Sequence, residues 1–365
     1  MSSPPMPFDA LVMGAGPAGA VTARLLAQGG WHVALVEKAQ FPRRKVCGEF
    51  LSATSLPLLQ ACGIADAYEA SAGPVVTRVG LYAGNTVLAS PRTHPWGRAL
   101  NRATLDTLLR DAAVAAGVEL LQPGEVTTLR GRVIALGDGR ERTARVMIAA
   151  CGSWNTGGPF AIATASDLFA FKAHFRDSRL PAGLMPLLAF PGGYGGMVHS
   201  DAGLTSLSFC LRRETLDAAR RRHGGKAGEA ALAHIRATTL GVDAALEGAT
   251  LEGAILATGP IHPGLRPRVR DGVFVVGNLA GEAHPIVAEG ISMAIQAGGL
   301  LAQLLLHGRE AEYPHQWTRR FAPRIRAAAL FAGLAMNGIT RAAARHVITA
   351  FPQILDWGAR RSGKR

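Results

Sequence analysis

The sequence predicts an α/β protein: a nucleotide-binding domain on a parallel sheet, an inserted and mostly antiparallel β domain, and a helical C-terminus. Three observations carry this. A buried-strand pattern, "DALVM", runs into the turn "GAGPAG" and an Ala/Leu-rich helix to about Gln28, and "HVALVEK" follows as a second strand, the βαβ order of a parallel sheet. From about residue 168 to 212, "LFAFKAHF", "LMPLLAF", "YGGMVHSD" and "LTSLSFCLR" read as strands joined by Gly or Pro turns. Near residue 273, "VFVVG" restores the parallel-sheet pattern before a long Ala/Leu-rich helix, so the first domain is discontinuous.

The elements between follow in order. After the loop "FPRRKVCGEFLS", a short helix in "TSLPLLQACG" stops at Gly63, and "VVTRVGLYAG" and "TVLAS" are extended. "NRATLDTLLRDAAVAAG" has apolar residues at helical spacing and a Gly stop, and "VMIAACGSW" is another buried strand. Helical segments are expected around 214 to 240, and from about 315 Arg-, Ala- and Leu-rich helices with breaks at Pro323 and Pro352. The expected division is 1–75, 98–165 and 262–312 for the nucleotide domain, 76–97 and 166–261 for the substrate domain, and 313–365 for the C-terminal helical region.

Composition narrows the class. The 365 residues hold two or three domains' worth of core, and 48% hydrophobic against 18% charged residues is ordinary for a globular chain. Four widely spread cysteines without a C-x-x-C pair signal neither a zinc site nor a disulfide scaffold, so a reducing cytoplasm is expected. The start, "MSSPPMPFDALV", lacks a signal-peptide pattern, and the apolar tract "AAALFAGLAM" is about half the length that spans a bilayer, so no transmembrane helix is expected. The net charge is +13, and residues 317–365 hold ten Lys or Arg against one acid, Asp356. Such a tail suits nucleic acid, anionic lipid or solubility. No nucleic-acid module accompanies it, which leaves peripheral membrane contact, with Phe321, Ile325, Phe331 and Leu334 toward lipid, or packing on the nucleotide domain.

The first turn has the spacing G-x-G-x-x-G between a strand and a helix. Gly14 can make the tight turn, Gly16 can admit a pyrophosphate to the backbone, and Gly19 can let helix and strand pack closely, with Pro17 and Ala18 opening the helix. Glu37, beside Lys38, ends the second strand 21 residues after Gly16, where a carboxylate accepts from a ribose diol and repels a 2'-phosphate.

"GAGPAG" with Glu37, "RALNRATLDTLLRDAA" and "VFVVGNLAGEAHPIVAEGI", in this order, resemble the flavoprotein superfamily of aromatic hydroxylases and geranylgeranyl reductases. Ala280-Gly281, Pro285 and "EGI", together with the Cys-Gly pair of "RRKVCGEFLS", resemble its reductase-like branch. The W-x-W-x-I-P element of flavin halogenases is absent. The resemblance implies one FAD: its ADP half at the first turn, Arg102 securing it, and the ribityl chain and flavin ring at Gly277, Asn278, Gly281, Pro285, Gly290 and Ile291. The family's usual Gly-Asp is Gly277-Asn278 here. An amide oxygen can still accept from a ribityl hydroxyl but without the charge, so Asn278→Asp is expected to tighten flavin. No second G-x-G-x-x-G is seen, so NAD(P)H is expected as a transient electron donor, or another carrier in its place.

Catalytic candidates each admit two readings. Cys47, near Arg43, Arg44 and Lys45, reads as a redox or substrate-facing thiol or as a small buried residue beside a turn glycine. His284 reads as a proton-moving group of near-neutral pKa at the flavin or as a positioning residue, and Tyr194 in "GGYGG" as ligand-facing or as part of a strand turn. His174 and His199 read as sheet residues without metal-ligand spacing, and Trp96 and Trp154 as packing. The function expected is an FAD-dependent monooxygenase hydroxylating a lipophilic phenolic or polyketide-type substrate. The alternatives are a flavin-dependent reductase of isoprenoid double bonds and a membrane-associated flavin-binding protein without turnover.

Overall fold

The computed structural model describes residues 8–152, 160 and 165–364; Trp154 lies outside them. The chain opens with β1 (Phe8–Met13), α1 (Pro17–Gln28), β2 (Val33–Val36), β3 (Phe50–Ser52), α2 (Leu56–Ala61) and α3 (Ala65–Ser71). It continues through β4 (Arg78–Ala83), β5 (Thr86–Ala89), β6 (Gly97–Ala99), α4 (Arg102–Ala115), β7 (Glu119–Leu121), β8 (Val126–Arg130), β9 (Val133–Leu136) and β10 (Glu141–Ala149). Next come β11 (Leu168–Arg176), β12 (Leu184–Phe190), β13 (Gly193–His199), β14 (Thr205–Arg212), α5 (Arg213–His223), α6 (Ala227–Thr238), α7 (Leu240–Ala245) and β15 (Thr250–Thr258). The last part holds β16 (Gly264–Leu265), β17 (Val269–Arg270), β18 (Val273–Val275), β19 (Gly281–Glu282), α8 (Gly290–Leu306), α9 (Tyr313–Met336), α10 (Gly338–Ala350) and α11 (Gln353–Arg361).

The first sheet runs β17-β18-β10-β1-β2-β7, and its β18, β10, β1, β2 and β7 are parallel. Leu11 pairs with Met147 on one side and Ala34 on the other, and all four residues of β2 are buried, as a strand covered on both faces requires. The chain leaves β1 toward β2 on one side and toward β10 on the other. That reversal opens a crevice at the carboxyl end of β1.

The second sheet, β15-β11-β14-β13-β12-β4-β5, is antiparallel except where β12 runs parallel to β4. Its strands come from residues 78–89 and 168–258, so the insertion gathers an early hairpin with the later strands.

Helix α8 packs on α1 so closely that a Cβ on Gly298 would sit 2.5 Å from Ala18 O. This contact brings the late turn beside the first: a Cβ on Gly277 would lie 3.1 Å from that of Ala18.

The C-terminal region departs from expectation at Pro323, which lies inside α9 and does not break it. Burial of Phe321, Ala322 and Ile325 around it offsets the one lost backbone bond. The break falls at Asn337, whose Oδ1 accepts from the N–H groups of Ile339 and Thr340 and starts α10. Pro352 does stand at a helix boundary, before α11.

Candidate functional site

The three glycines of the first turn have separate tasks. Gly14 has φ +106, and a Cβ there would stand 2.7 Å from Ala150 O. A Cβ on Gly19 would overlap Gly14 O, so this position sets how closely α1 approaches the sheet. Gly16 differs: a Cβ there meets only Arg43, at 3.9 Å, so its bareness faces open space. Helix α1 begins at Pro17, has no side-chain cap and no acid in its first turn, and so offers its N-terminal amides and positive dipole to an anion. Glu37 borders the same space. Its Oε2 accepts from Ala15 N–H at 2.9 Å, and its Oε1 accepts from Ala39 N–H at 2.9 Å and from Arg43 at 2.8 Å.

The second turn starts at Gly277, with φ +64. Asn278 Nδ2 donates to Glu282 Oε1 at 3.1 Å, which leaves the amide oxygen to face a ligand. Arg266 donates to Asn278 O and pairs with Glu282 at 3.5 Å. Sequence reasoning did not single out Glu282, although its spacing of four from Asn278 was visible.

One cavity joins the two turns. It is lined by Gly14, Gly16, Pro17, Ala18, Glu37 and Lys38 at one end and by Gly277, Asn278, Pro285, Gly290 and Ile291 at the other, with Arg102 between. Two expected cofactor residues do not line it. Gly19 is the packing glycine described above, and Gly281 sits in β19, where a Cβ would meet Trp317 at 2.7 Å and Ile325 at 2.9 Å. These residues fit FAD: a bare turn and free helix N-terminus for the pyrophosphate, a carboxylate for the ribose, an amide oxygen for the ribityl chain, and the N-terminus of α8 beyond it.

The cavity continues along one face of the second sheet, where Ala170, Met185, Leu187 and Val198 make an apolar wall. Between the two halves runs the loop Lys45 to Phe50. Cys47 faces the cavity and interacts with the Arg102 guanidinium, which also makes two hydrogen bonds to Asp106 at 2.7 and 2.8 Å. Burial alone would lower the Arg102 pKa, but Asp106 and Cys47 raise it above the usual arginine value.

Glu49, in the left-handed region at φ +64, is fully buried between Lys172, which donates to it, and His174, whose Nε2 lies 2.8 Å from Oε2. Burial pushes its pKa up, yet the His174 hydrogen bond and the Lys172 charge hold it down at about 2. His174 is thus a sheet residue with a specific partner, beyond the plain strand position the sequence implied. His199 is a sheet residue bonded to Leu180 O and Thr205, and buried Trp96 packs edge-on to His94. No group of three metal-ligating side chains occurs among the described residues.

Tyr194 and His284 meet each other: the phenol oxygen lies 2.8 Å from His284 Nδ1. Burial, followed by the Arg212 charge, lowers the His284 pKa to about 4, which corrects the near-neutral value expected from sequence. The ring is therefore neutral at ordinary pH and shares its Nδ1 hydrogen bond with the tyrosine hydroxyl.

Residues 8–146 match the family model of an FAD binding domain. Over 85% of this chain and 79% of the relative, the sequence is 25% identical to menaquinone reductase of Mycolicibacterium smegmatis. It is 27% identical to digeranylgeranylglycerophospholipid reductase 1 of Methanopyrus kandleri, over 87% of each chain. Among solved structures, a flavin-dependent brominase superposes with a TM-score of 0.79 at 19% identity, covering 98% of this chain and 93% of that one, a likeness of fold. The chain is an FAD-dependent oxidoreductase. In this oxidoreductase the two glycine turns, about 260 residues apart in sequence, form the two ends of one cavity because α8 packs on α1.

Proposed function

We propose that this oxidoreductase reduces a carbon–carbon double bond in an isoprenoid-type lipid, with NAD(P)H or another two-electron carrier as the donor. The observation that carries the reading is that the apolar wall of Ala170, Met185, Leu187 and Val198 lines the same cavity as Cys47 and the two glycine turns. Two relatives named as reductases, each aligned over most of this chain, support it. Bound FAD supplies two-electron reducing chemistry. The chain's contribution is to exclude water with the wall, to fix the loop carrying Cys47 through Glu49, and to hold a thiol from which a proton can pass to substrate carbon.

A second reading, hydroxylation of a lipophilic phenol, is favoured by the same dry cavity, because oxygen chemistry also needs water excluded. The reduced holoprotein, kept free of oxygen, separates the two. Oxidation by a polyprenyl lipid without oxygen, together with loss of turnover but retention of FAD in Cys47→Ala, is expected. Oxidation only when oxygen and a phenol are both supplied would overturn the reductase reading in favour of the second. A holoprotein that neither substrate class reoxidises leaves flavin binding without turnover.

A further inference from the structure

Helix α10 is turned inside out for a soluble protein. Its solvent face carries Ile339, Ala342, Ala343, His346, Val347 and Ala350 at helical spacing, and none of its residues is buried. Its Arg341 points the other way, into the protein, and donates to Phe190 O, Ala335 O and Met336 O. Of the apolar side chains the sequence offered to lipid, Phe321 and Ile325 are instead buried in the core, and Phe331 and Leu334 are half-buried. The exposed ones are Leu330 at 62%, Ile339 at 83%, Val347 at 50%, Phe351 at 54% and Trp357 at 55%, drawn from three consecutive helices and the corner between the last two. Exposed arginines flank them in sequence: Arg319, Arg320 and Arg326 on α9, and Arg360 and Arg361 on α11, with Arg361 over the Trp357 ring at 5.3 Å.

We infer that α10 and the adjoining ends of α9 and α11 are a docking surface for an anionic lipid bilayer. No single helix among the described residues is long and apolar enough to cross a membrane, α10 bends away from α9 by 102°, and α9 is packed on the protein through Trp317, Phe321, Ile325 and Ala332, an arrangement that suits helices lying along a bilayer surface. Apolar side chains enter the acyl boundary, the tryptophan sits at the headgroup level, and the arginines meet lipid phosphates. Charge selects this occupant. A second copy would bring the exposed arginines of α9 and α11 against their own like charges, and a nucleic acid would leave the apolar face uncovered. The inference is independent of which double bond or ring the enzyme acts on.

The test is co-sedimentation of the holoprotein with vesicles of phosphatidylcholine alone and of phosphatidylcholine with an equal amount of phosphatidylglycerol. Binding to the anionic vesicles that falls with added salt is expected. The triple variant Ile339→Ser, Val347→Ser, Phe351→Ser should weaken it about tenfold or more. The double variant Arg360→Gln, Arg361→Gln, on the α11 end beside Trp357, should weaken it by about fivefold for each charge. All five positions are exposed, so both variants should keep the wild-type melting temperature and bound FAD. Absence of vesicle binding, or equal binding by wild type and both variants, would overturn the inference. So would a wild-type dimer in sedimentation equilibrium that the serine variant dissociates, which would assign the face to a second copy.

Discussion

Tyr194 of β13 and His284 of the late turn are joined by a 2.8 Å hydrogen bond, which ties the inserted sheet to the cofactor domain. Burial raises the Tyr194 pKa well above the usual phenol value, so the hydroxyl keeps its proton and the bond joins two neutral groups. Because the folded His284 pKa of about 4 lies below the ordinary histidine value of 6.5, the unfolded state binds more protons between them. Its contribution to stability is present above about pH 6.5 and is lost as the pH falls toward 4. The His284 imidazole resonances should stay at their neutral positions down to about pH 5 in an NMR titration; a midpoint near 6.5 would contradict the buried hydrogen bond.

Two neighbouring glycines should respond differently to alanine. Gly16→Ala has room in the protein itself, so its melting temperature should stay near wild type while FAD affinity falls, since the added methyl occupies the path of the pyrophosphate. Gly19→Ala drives a methyl into Gly14 O and should lose about 1–3 kcal/mol or more of stability before any question of cofactor arises. Thermal denaturation of the apoprotein alongside flavin titration measures both, and equal behaviour of the two variants would contradict these roles.

From sequence, Asn278→Asp reads as favourable for flavin. The structure gives it a cost: the substitution removes the 3.1 Å donation to Glu282 and sets two carboxylates together where Glu282 is buried. The single variant should therefore bind FAD no tighter than wild type. When Asn278→Asp is combined with Glu282→Gln, the glutamine amide donates to the new carboxylate and the tightening should emerge, read by equilibrium dialysis of flavin. A single variant that binds tenfold tighter would show that Glu282 does not constrain this position.

Glu49 should be the most costly loop residue to neutralise. Glu49→Gln leaves Lys172 fully buried opposite an uncharged amide, a loss of about 3–5 kcal/mol by the cost of breaking a buried pair. Because its folded pKa of about 2 lies below the ordinary 4.5, its stabilisation is fully present above about pH 4.5 and is lost as the pH falls toward 2. Chemical denaturation of wild type and Glu49→Gln at a series of acidic pH values checks this. The gap between them should narrow across that window, and a constant gap would mean that the carboxylate is not ionised in the fold.

The sequence by itself determined the parallel-sheet opening, the glycine turn with Glu37, the late turn at Gly277 and the inserted strands. Each of these is a local pattern in which the spacing of apolar residues and glycines is also the spacing of the structure. It did not reveal that Glu49 is held by Lys172 and His174, because those partners lie more than a hundred residues away and no local spacing encodes the pair. Nor could it set the protonation of His284, which depends on burial that only packing creates. Pro323 reads as a helix break, yet tertiary burial of Phe321 and Ile325 carries α9 through it. For the tail, the chain's charge and apolar content were legible, but only the docked helices decided which apolar side chains turn inward and which remain in solvent. That choice follows from the surface α9 finds on the body of the protein, which no stretch of its own sequence contains.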